Sequence, residues 1–179
     1  MSRTATAAVA PAVTGTVTLV FTDLVEFSRW ALRAGDEEVQ RVLRQVSEAW
    51  EKPVTDRDGT VVKRLGDGMM AAFADPTSAL EAVVEARTRL AGLSVPDWTP
   101  KMRAGLHIGR PRRVGGDFLG VAVNTAARLG DRAGPDEILI SGEVLARLDD
   151  SRLRVRRKRW HTRLKGAPED LQIYAVDKA

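Results

Sequence analysis

Residues 60–73 read TVVKRLGDGMMAAF, two short apolar segments, Thr60 to Leu65 and Met69 to Phe73, joined by Gly66-Asp67-Gly68. Glycine reaches positive φ at no steric cost, so this spacing predicts a β-hairpin with Asp67 at its tip. What flanks the hairpin decides the fold class. Upstream, Thr16 to Thr22 (TVTLVFT) is β-branched and apolar with little alternation, the pattern of a strand buried on both faces, and Asp23 sits at its end. Phe27 to Trp50 turns helical, with a break near Gly35-Asp36 where the aspartate is expected to cap a second helix through Val39, Val42, Leu43, Val46 and Trp50. Downstream, Pro76 opens a helix through Ala79, Leu80, Val83, Val84, Ala86 and Leu90, which Gly92 closes. A hairpin set inside a strand and helix alternation does not fit a doubly wound parallel sheet. The class is therefore α+β, with a largely antiparallel sheet and helices packed on it, and the specific expectation is a ferredoxin-like βαβ-type sandwich.

Beyond a Pro-containing loop, Val95 to Pro100, the stretch Met102 to Ile108 reads as a strand. A basic, Gly-rich connection leads to a helix from about Gly120 to Leu129, and Gly134-Pro135 ends that unit. Glu137 to Ser141 is a strand, Glu143 to Leu148 a short helix, and Leu153 to Trp160 and Leu171 to Val176 are further strands. At 179 residues the chain suits one domain. The Ala-rich residues 1–14 are expected to be a flexible leader, because they offer little apolar surface to offset the entropy of fixing them, and 15–179 to be the domain.

Composition narrows the chemistry. Hydrophobic residues make up 44% and charged residues 29%, an ordinary globular balance that points to neither disorder nor a fibrous repeat. Without cysteine there is no disulfide, thiolate metal site or cysteine nucleophile, so a metal must be held by oxygen or by His107 and His161. The uncharged stretch Thr4 to Thr22 holds Pro11, Gly15 and six threonines, which argues against a signal peptide or membrane span and for a soluble, cytoplasmic protein. Lys and Arg outnumber Asp and Glu by 28 to 24, a balance that suits phosphate in some form, nucleotide or nucleic acid. The run Arg152, Arg154, Arg156, Arg157, Lys158, Arg159 raises nucleic acid directly. Its alternation with Leu153 and Val155 reads instead as a strand with a solvated basic face, and no aromatic stacking platform accompanies it.

Asp23 and Asp67 both stand at strand ends, where side chains emerge from a sheet edge. Two such carboxylates can hold a pair of hard cations whose coordination phosphate oxygens complete, and magnesium or manganese would suit them. Taken singly, each is equally a solvated turn aspartate. The helix entry at Phe27 and Ser28 presents free backbone N–H groups able to meet phosphate oxygens. Asn124 and Arg128 stand four apart on one helical face, where an amide can orient a sugar and a guanidinium can neutralise a phosphoryl group, or where both are simply solvated.

Together these pieces resemble the class III nucleotidyl cyclase catalytic domain. The resemblance spans Thr16 to about Val176 and rests on FTDLVEFS (21–28), KRLGDGMMAAF (63–73), RAGLHIG (103–109), GDFLGVAVNTAARL (116–129), GPDEILIS (134–141) and LKGAPE (164–169), in the family's order. It implies an adenylate cyclase that turns ATP into 3′,5′-cyclic AMP and pyrophosphate, using two Mg²⁺ or Mn²⁺ per active site. Residue by residue, Asp23 and Asp67 look like the metal aspartates, Lys63 and Asp117 like the pair that reads the base, and Asn124 and Arg128 like the transition-state residues. Lys165 resembles a phosphate-contacting lysine. A lysine donor and an aspartate acceptor match the N1 acceptor and N6 donor of adenine, and guanylate cyclases of the family typically carry an acid where Lys63 stands. The resemblance further implies a homodimer whose sites are shared, one protomer supplying the metal aspartates and its partner the base and transition-state residues. Glu26 departs from the glycine often found between the first aspartate and the aromatic, and 109–116 is short and Arg-rich. A catalytically silent nucleotide-binding or dimerisation module is the alternative, against which the filled set of six residues argues.

Overall fold

In the computed structural model, which describes residues 15–149, 153–159 and 164–177, the apolar run that opens the domain forms β1 (Val17–Leu24). The expected leader, Arg152 and Trp160 lie outside the described residues. There follow α1 (Phe27–Ala34), α2 (Asp36–Thr55), β2 (Thr60–Leu65), β3 (Gly68–Phe73), α3 (Pro76–Ala91) and β4 (Met102–Gly109). The rest comprises β5 (Arg112–Val114), β6 (Asp117–Leu119), α4 (Val121–Arg132), β7 (Ile138–Ser141), α5 (Gly142–Leu145), β8 (Val155–Lys158) and β9 (Ile173–Val176).

The strands form a seven-stranded sheet in the order β2-β3-β1-β4-β7-β9-β8. Only β4 and β7 pair in parallel; the other pairs are antiparallel, as the hairpin reading requires. The tight turn between β2 and β3 has Gly66 at φ 71, the positive value that its first position demands of a two-residue hairpin loop.

Alternation along the central strands divides the interior in two. Val20 and Leu24 of β1, with Met69, Ala71 and Phe73 of β3, face the larger core beneath α1, α2 and α3. Val17 and Leu19, with Met70 and Ala72, face the opposite way, against Phe118, Val123 and Ala126. Both β1 and β3 are thus covered on both faces, which is why neither alternates in hydrophobicity. The helix α4 lies on the second face beside Phe118 of β6. It comes so near β4 that a Cβ on Gly105 would overlap the backbone of Ala126 and Gly130, so only glycine admits this approach.

Some expectations are corrected. Asp36 does not cap α2: the cap position is Gly35, no side chain bonds the free amides there, and Asp36 is the first helical residue, its charge beside those of Glu37 and Glu38 at the positive end of the dipole. The helix also continues past Trp50 to Thr55, with Pro53 in its last turn. The cap that the sequence reading overlooked is Asp75, whose carboxylate accepts from the Ser78 amide at 2.7 Å and starts α3. The basic connection after β4 is not irregular but a small hairpin, β5–β6, turning at Gly115-Gly116, a dipeptide that carries the hairpin signal. The short helix after β7 starts at Gly142 and stops at Leu145 rather than Leu148. In the basic segment, Arg154, Arg156, Arg157 and Arg159 are exposed on or beside β8, the edge strand, while Lys158 pairs with Glu137 at 2.6 Å. Charge along an unpaired edge discourages other strands from adding to it. Among the described residues no helix is long and apolar enough to cross a membrane.

Since α4 rides directly on Gly105, Gly105→Ala should push helix and sheet apart. The expected loss is about 1–3 kcal/mol or more, as for overpacking of a tight core. A lower urea midpoint at unchanged slope would show it, and an unchanged midpoint would contradict the close approach.

Candidate active site

The buried strand β1 ends on a charge. Asp23, its penultimate residue, stands directly across the antiparallel ladder from Arg103 at the start of β4, so both side chains leave the same face of the sheet. The Arg103 guanidinium donates to Asp23 Oδ2 from Nε at 3.0 Å and from Nη2, and its Nη1 donates to the Asp131 carbonyl of α4 at 3.1 Å. From the hairpin tip Asp67 reaches the same spot, close enough for the Asp23 charge to act on it. Its carboxyl is pushed up to about 6, first by burial and then by the negative charge of Asp23; the Arg103 charge offsets only part of this. Two carboxylates are therefore crowded together with one guanidinium between them and α4.

That chemistry fits a hard divalent cation. The donors are all oxygen, and the crowded negative charge is what a cation would relieve. Among the described residues no group of three or more His, Cys, Asp or Glu side chains could hold a metal alone, so water or phosphate oxygens would have to complete the shell. His107 takes no part. It is buried in β4 with Nδ1 2.9 Å from Ser141 Oγ and 3.8 Å from Glu143, and desolvation holds its imidazole below the ordinary value, the Glu143 charge pulling the other way. His161 lies outside the described residues.

A second pair forms 54 residues apart in sequence: Lys63 Nζ meets Asp117 Oδ2 at 2.6 Å. Lys63 reaches it because β2 carries a bulge. Val61 opposes Ala71 but Lys63, not Val62, opposes Met70, so Val62 is the extra residue. Without it Lys63 would share the face of Val61, toward the larger core; with it Lys63 emerges on the α4 side, as Met70 does. Asp117 is the first residue of β6, the strand missed in the sequence, and the Phe118 amide donates to its Oδ1 at 2.7 Å. The Lys63 hydrogen bond holds the Asp117 carboxyl below its usual range, and the Phe118 amide acts in the same sense.

The other predicted residues fall in three places. Asn124 and Arg128 are both exposed on one face of α4, Arg128 lying 3.4 Å from Asp131. Phe27 has its side chain in the core, so only its backbone N–H could face a ligand; Ser28 next to it is exposed at the start of α1. Lys165 is exposed in the turn before β9. Among the described residues no hydrogen bond or ion pair ties Asn124 or Lys165 to either cluster. Arg103 is the residue that the sequence reading left without a role. A cation opening an apolar strand was visible, but its place opposite Asp23 depends on the register of β1 against β4.

Residues 9–178 match the model of the adenylate and guanylate cyclase catalytic domain. An adenylate cyclase of Streptomyces coelicolor is 31% identical over 135 residues, which cover 73% of this chain and 34% of that protein. One of Streptomyces griseus is 30% identical over 122 residues, covering 68% and 30%. The chain spans about a third of the length of these curated relatives. Among solved structures, the adenylyl cyclase CyaB from P. aeruginosa superposes with a TM-score of 0.77 at 23% identity, over 92% of this chain and 94% of that one. The guanylate cyclase domain of RhGC from Catenaria anguillulae, in complex with GTP, gives 0.81 at 18% identity, over 90% and 96%. At these identities the structures share the fold: a mixed α+β sheet, mostly antiparallel, with helices packed on it.

Carboxylate crowding has a measurable cost. A carboxyl raised in the fold favours the folded state below the ordinary value of 3.8 and penalises it as pH rises through about 6. In chelator at pH 7.5, Asp67→Asn should therefore melt above the unsubstituted chain, by roughly 1–4 °C once solvent screening of the half-exposed pair is allowed for. The gap should close below pH 4, and Mn²⁺ should raise the Tm of the unsubstituted chain far more than that of the variant. A variant that melts lower at pH 7.5 would mean that the two carboxylates do not repel.

Proposed function

The chain belongs to the adenylate and guanylate cyclase catalytic domain family, and from that premise we propose that it is an adenylate cyclase, making 3′,5′-cyclic AMP and pyrophosphate from ATP at sites shared by two copies of the chain. The observation that carries the choice of ATP is the contact between Lys63 and Asp117. One ammonium donor and one carboxylate acceptor, side by side and each about a third exposed, match the N1 acceptor and N6 donor of adenine. Guanine held in the same pose would set its N1–H against the ammonium and its O6 against the carboxylate, so neither would pair.

Asp23 and Asp67 are the residues that would hold Mg²⁺ or Mn²⁺, which when bound supply Lewis acidity for the ribose 3′-hydroxyl and neutralise the triphosphate. The chain's own groups do the rest. Amides at Phe27 and Ser28, with Lys165, bind phosphate oxygens. Asn124 fixes the ribose so that its 3′-oxygen lies in line with the α-phosphorus, and Arg128 balances the charge that builds there as pyrophosphate leaves. No protein nucleophile is needed.

Asn124 and Arg128 belong, in this reading, to the site whose carboxylates a second copy supplies. Their exposure without a tie to Asp23 or Asp67 supports it. So do Leu65, Leu119 and Val121, large apolar side chains 42%, 51% and 61% exposed on the elements that carry Lys63, Asp117 and Asn124, and Val114, 54% exposed on β5 opposite Asp117, a surface that a second copy would cover. The four strands β2-β3-β1-β4 with α2 and α3 we read as a ferredoxin-like core, from their order and connections.

Purified chain with Mn²⁺ and either ATP or GTP, the cyclic product being identified, tests the activity; nucleotide bound without release of pyrophosphate would point to a silent module. Mixing an Asp67→Ala chain with an Arg128→Ala chain should restore turnover, because the heterodimer regains one complete site. No recovery from heterodimers shown to form would count against shared sites. Lys63→Glu with Asp117→Gly should lower ATP turnover about tenfold or more per lost contact and raise the use of GTP relative to ATP. Were the preference to stay as before, these two residues do not read the base.

A further inference from the structure

Between Asp23 and the amides of α1 the chain passes through a turn at Val25 and Glu26, where the Glu26 side chain gives the backbone no support. Glu26 sits at φ 60 and ψ 14, the left-handed conformation that a residue with a Cβ adopts at a cost and glycine adopts freely. Its carboxylate caps nothing and meets only Arg29 at 3.1 Å, an ion pair with both partners mostly exposed, of the kind that contributes little.

What holds the turn comes from the loop before β4. The Trp98 indole N–H donates to the Val25 carbonyl at 3.2 Å, and the Val25 amide donates to the Lys101 carbonyl at 2.8 Å, so both backbone groups of Val25 are gripped by one loop. That loop is fixed in turn. Trp98 stacks on Trp30 with centroids 5.2 Å apart and planes at 22°, and meets the edge of Phe27 at 5.8 Å. The Trp30 indole N–H completes the exchange by donating to the Pro96 carbonyl at 3.0 Å. Phe27 and Trp30 are both buried, so this three-ring cluster anchors α1 and the loop to the same core.

We propose that Trp98 is a positioning residue for the phosphate-binding turn: its indole hydrogen bond to Val25 holds Glu26 in the left-handed conformation that aims the Phe27 and Ser28 amides at the triphosphate. This rests on the reading of those amides given under Proposed function. It makes the loop before β4 part of the nucleotide site although it touches no substrate. It also accounts for how this chain carries glutamate at a left-handed position: the preference that glycine would supply is replaced by an outside hydrogen bond.

Trp98→Phe keeps an aromatic ring beside Trp30 and removes the N–H together with the second ring of the indole. Hydrogen exchange of the unliganded full chain should then speed up several-fold in a peptide covering residues 24–29, with the Tm nearly unchanged. KM for Mn-ATP should rise roughly three- to tenfold, the range for one lost hydrogen bond, with kcat within about twofold. Glycine needs no clamp, so Glu26→Gly in the Trp98→Phe background should bring KM back to within about twofold of Glu26→Gly alone. Unchanged exchange in 24–29 would overturn the clamp. Faster exchange with unchanged KM would overturn its role toward phosphate. A fall in Tm and kcat that Glu26→Gly does not reverse would make Trp98 a core residue and no more. A chain that shows the faster exchange but releases no cyclic product would keep the clamp and sink the cyclase reading instead.

Discussion

Asp23 and Asp67 are delivered to one spot by backbone that has little room to yield. β1 is hydrogen-bonded on both edges and covered on both faces, and the hairpin that carries Asp67 is laced to it through β3. Two like charges in that position repel, and burial makes Asp67 harder to ionise. Arg103, opposite Asp23 on the other side of β1, is the counterweight that lets the sheet close around them. Its third contact, to the Asp131 carbonyl, ties the charged end of the sheet to the end of α4. The placement of α4, and so of the exposed face bearing Asn124 and Arg128, is linked to the same electrostatic arrangement.

The sheet divides its labour by face. Helices α1, α2 and α3 cover one side and supply most of the apolar burial, which suits a scaffold. The other side carries α4 and the small hairpin β5–β6, with a thinner core and a rim of exposed charge and apolar surface. Asp23, Arg103 and Lys63 leave the sheet on that thinner side, where Lys63 meets Asp117. Function is placed where the fold needs fewer residues for cohesion, and stability where it needs more.

The sequence was most legible where a single physical signal dominated. The buried run of β1, the glycine-framed hairpin and the proline at the start of α3 were each found within about two residues, because apolar pattern and turn chemistry agree there. Asp23 and Asp67 could be singled out as strand-end carboxylates, though their meeting depends on the β1 to β3 register, which no local pattern encodes. The same holds for Arg103. Asp36 looked like a cap because aspartate favours that position, yet Gly35, at φ 82, lies where the chain bends and displaces it by one. β5 and β6 were lost because three-residue strands carry too little hydrophobic pattern, and arginine hides what there is. The pairing of Lys63 with Asp117 came from family resemblance rather than from spacing; the bulge that permits it leaves no mark in TVVKRL.

That bulge also bears on how the hairpin finds its register. Val61 and Val62 are chemically interchangeable, so apolar pattern alone would allow β2 to pair without an extra residue. In such a pairing Lys63 would take the place opposite Met69 that Arg64 holds, mostly exposed and paired with Glu51 of α2, and its ammonium would be carried away from Asp117. The bulge thus decides which acid each cation of β2 can reach, Glu51 on one face of the sheet or Asp117 on the other. The consequence is a strand whose neighbouring cations, Lys63 and Arg64, are sorted to opposite faces of the sheet, each beside one acid, by a single extra valine.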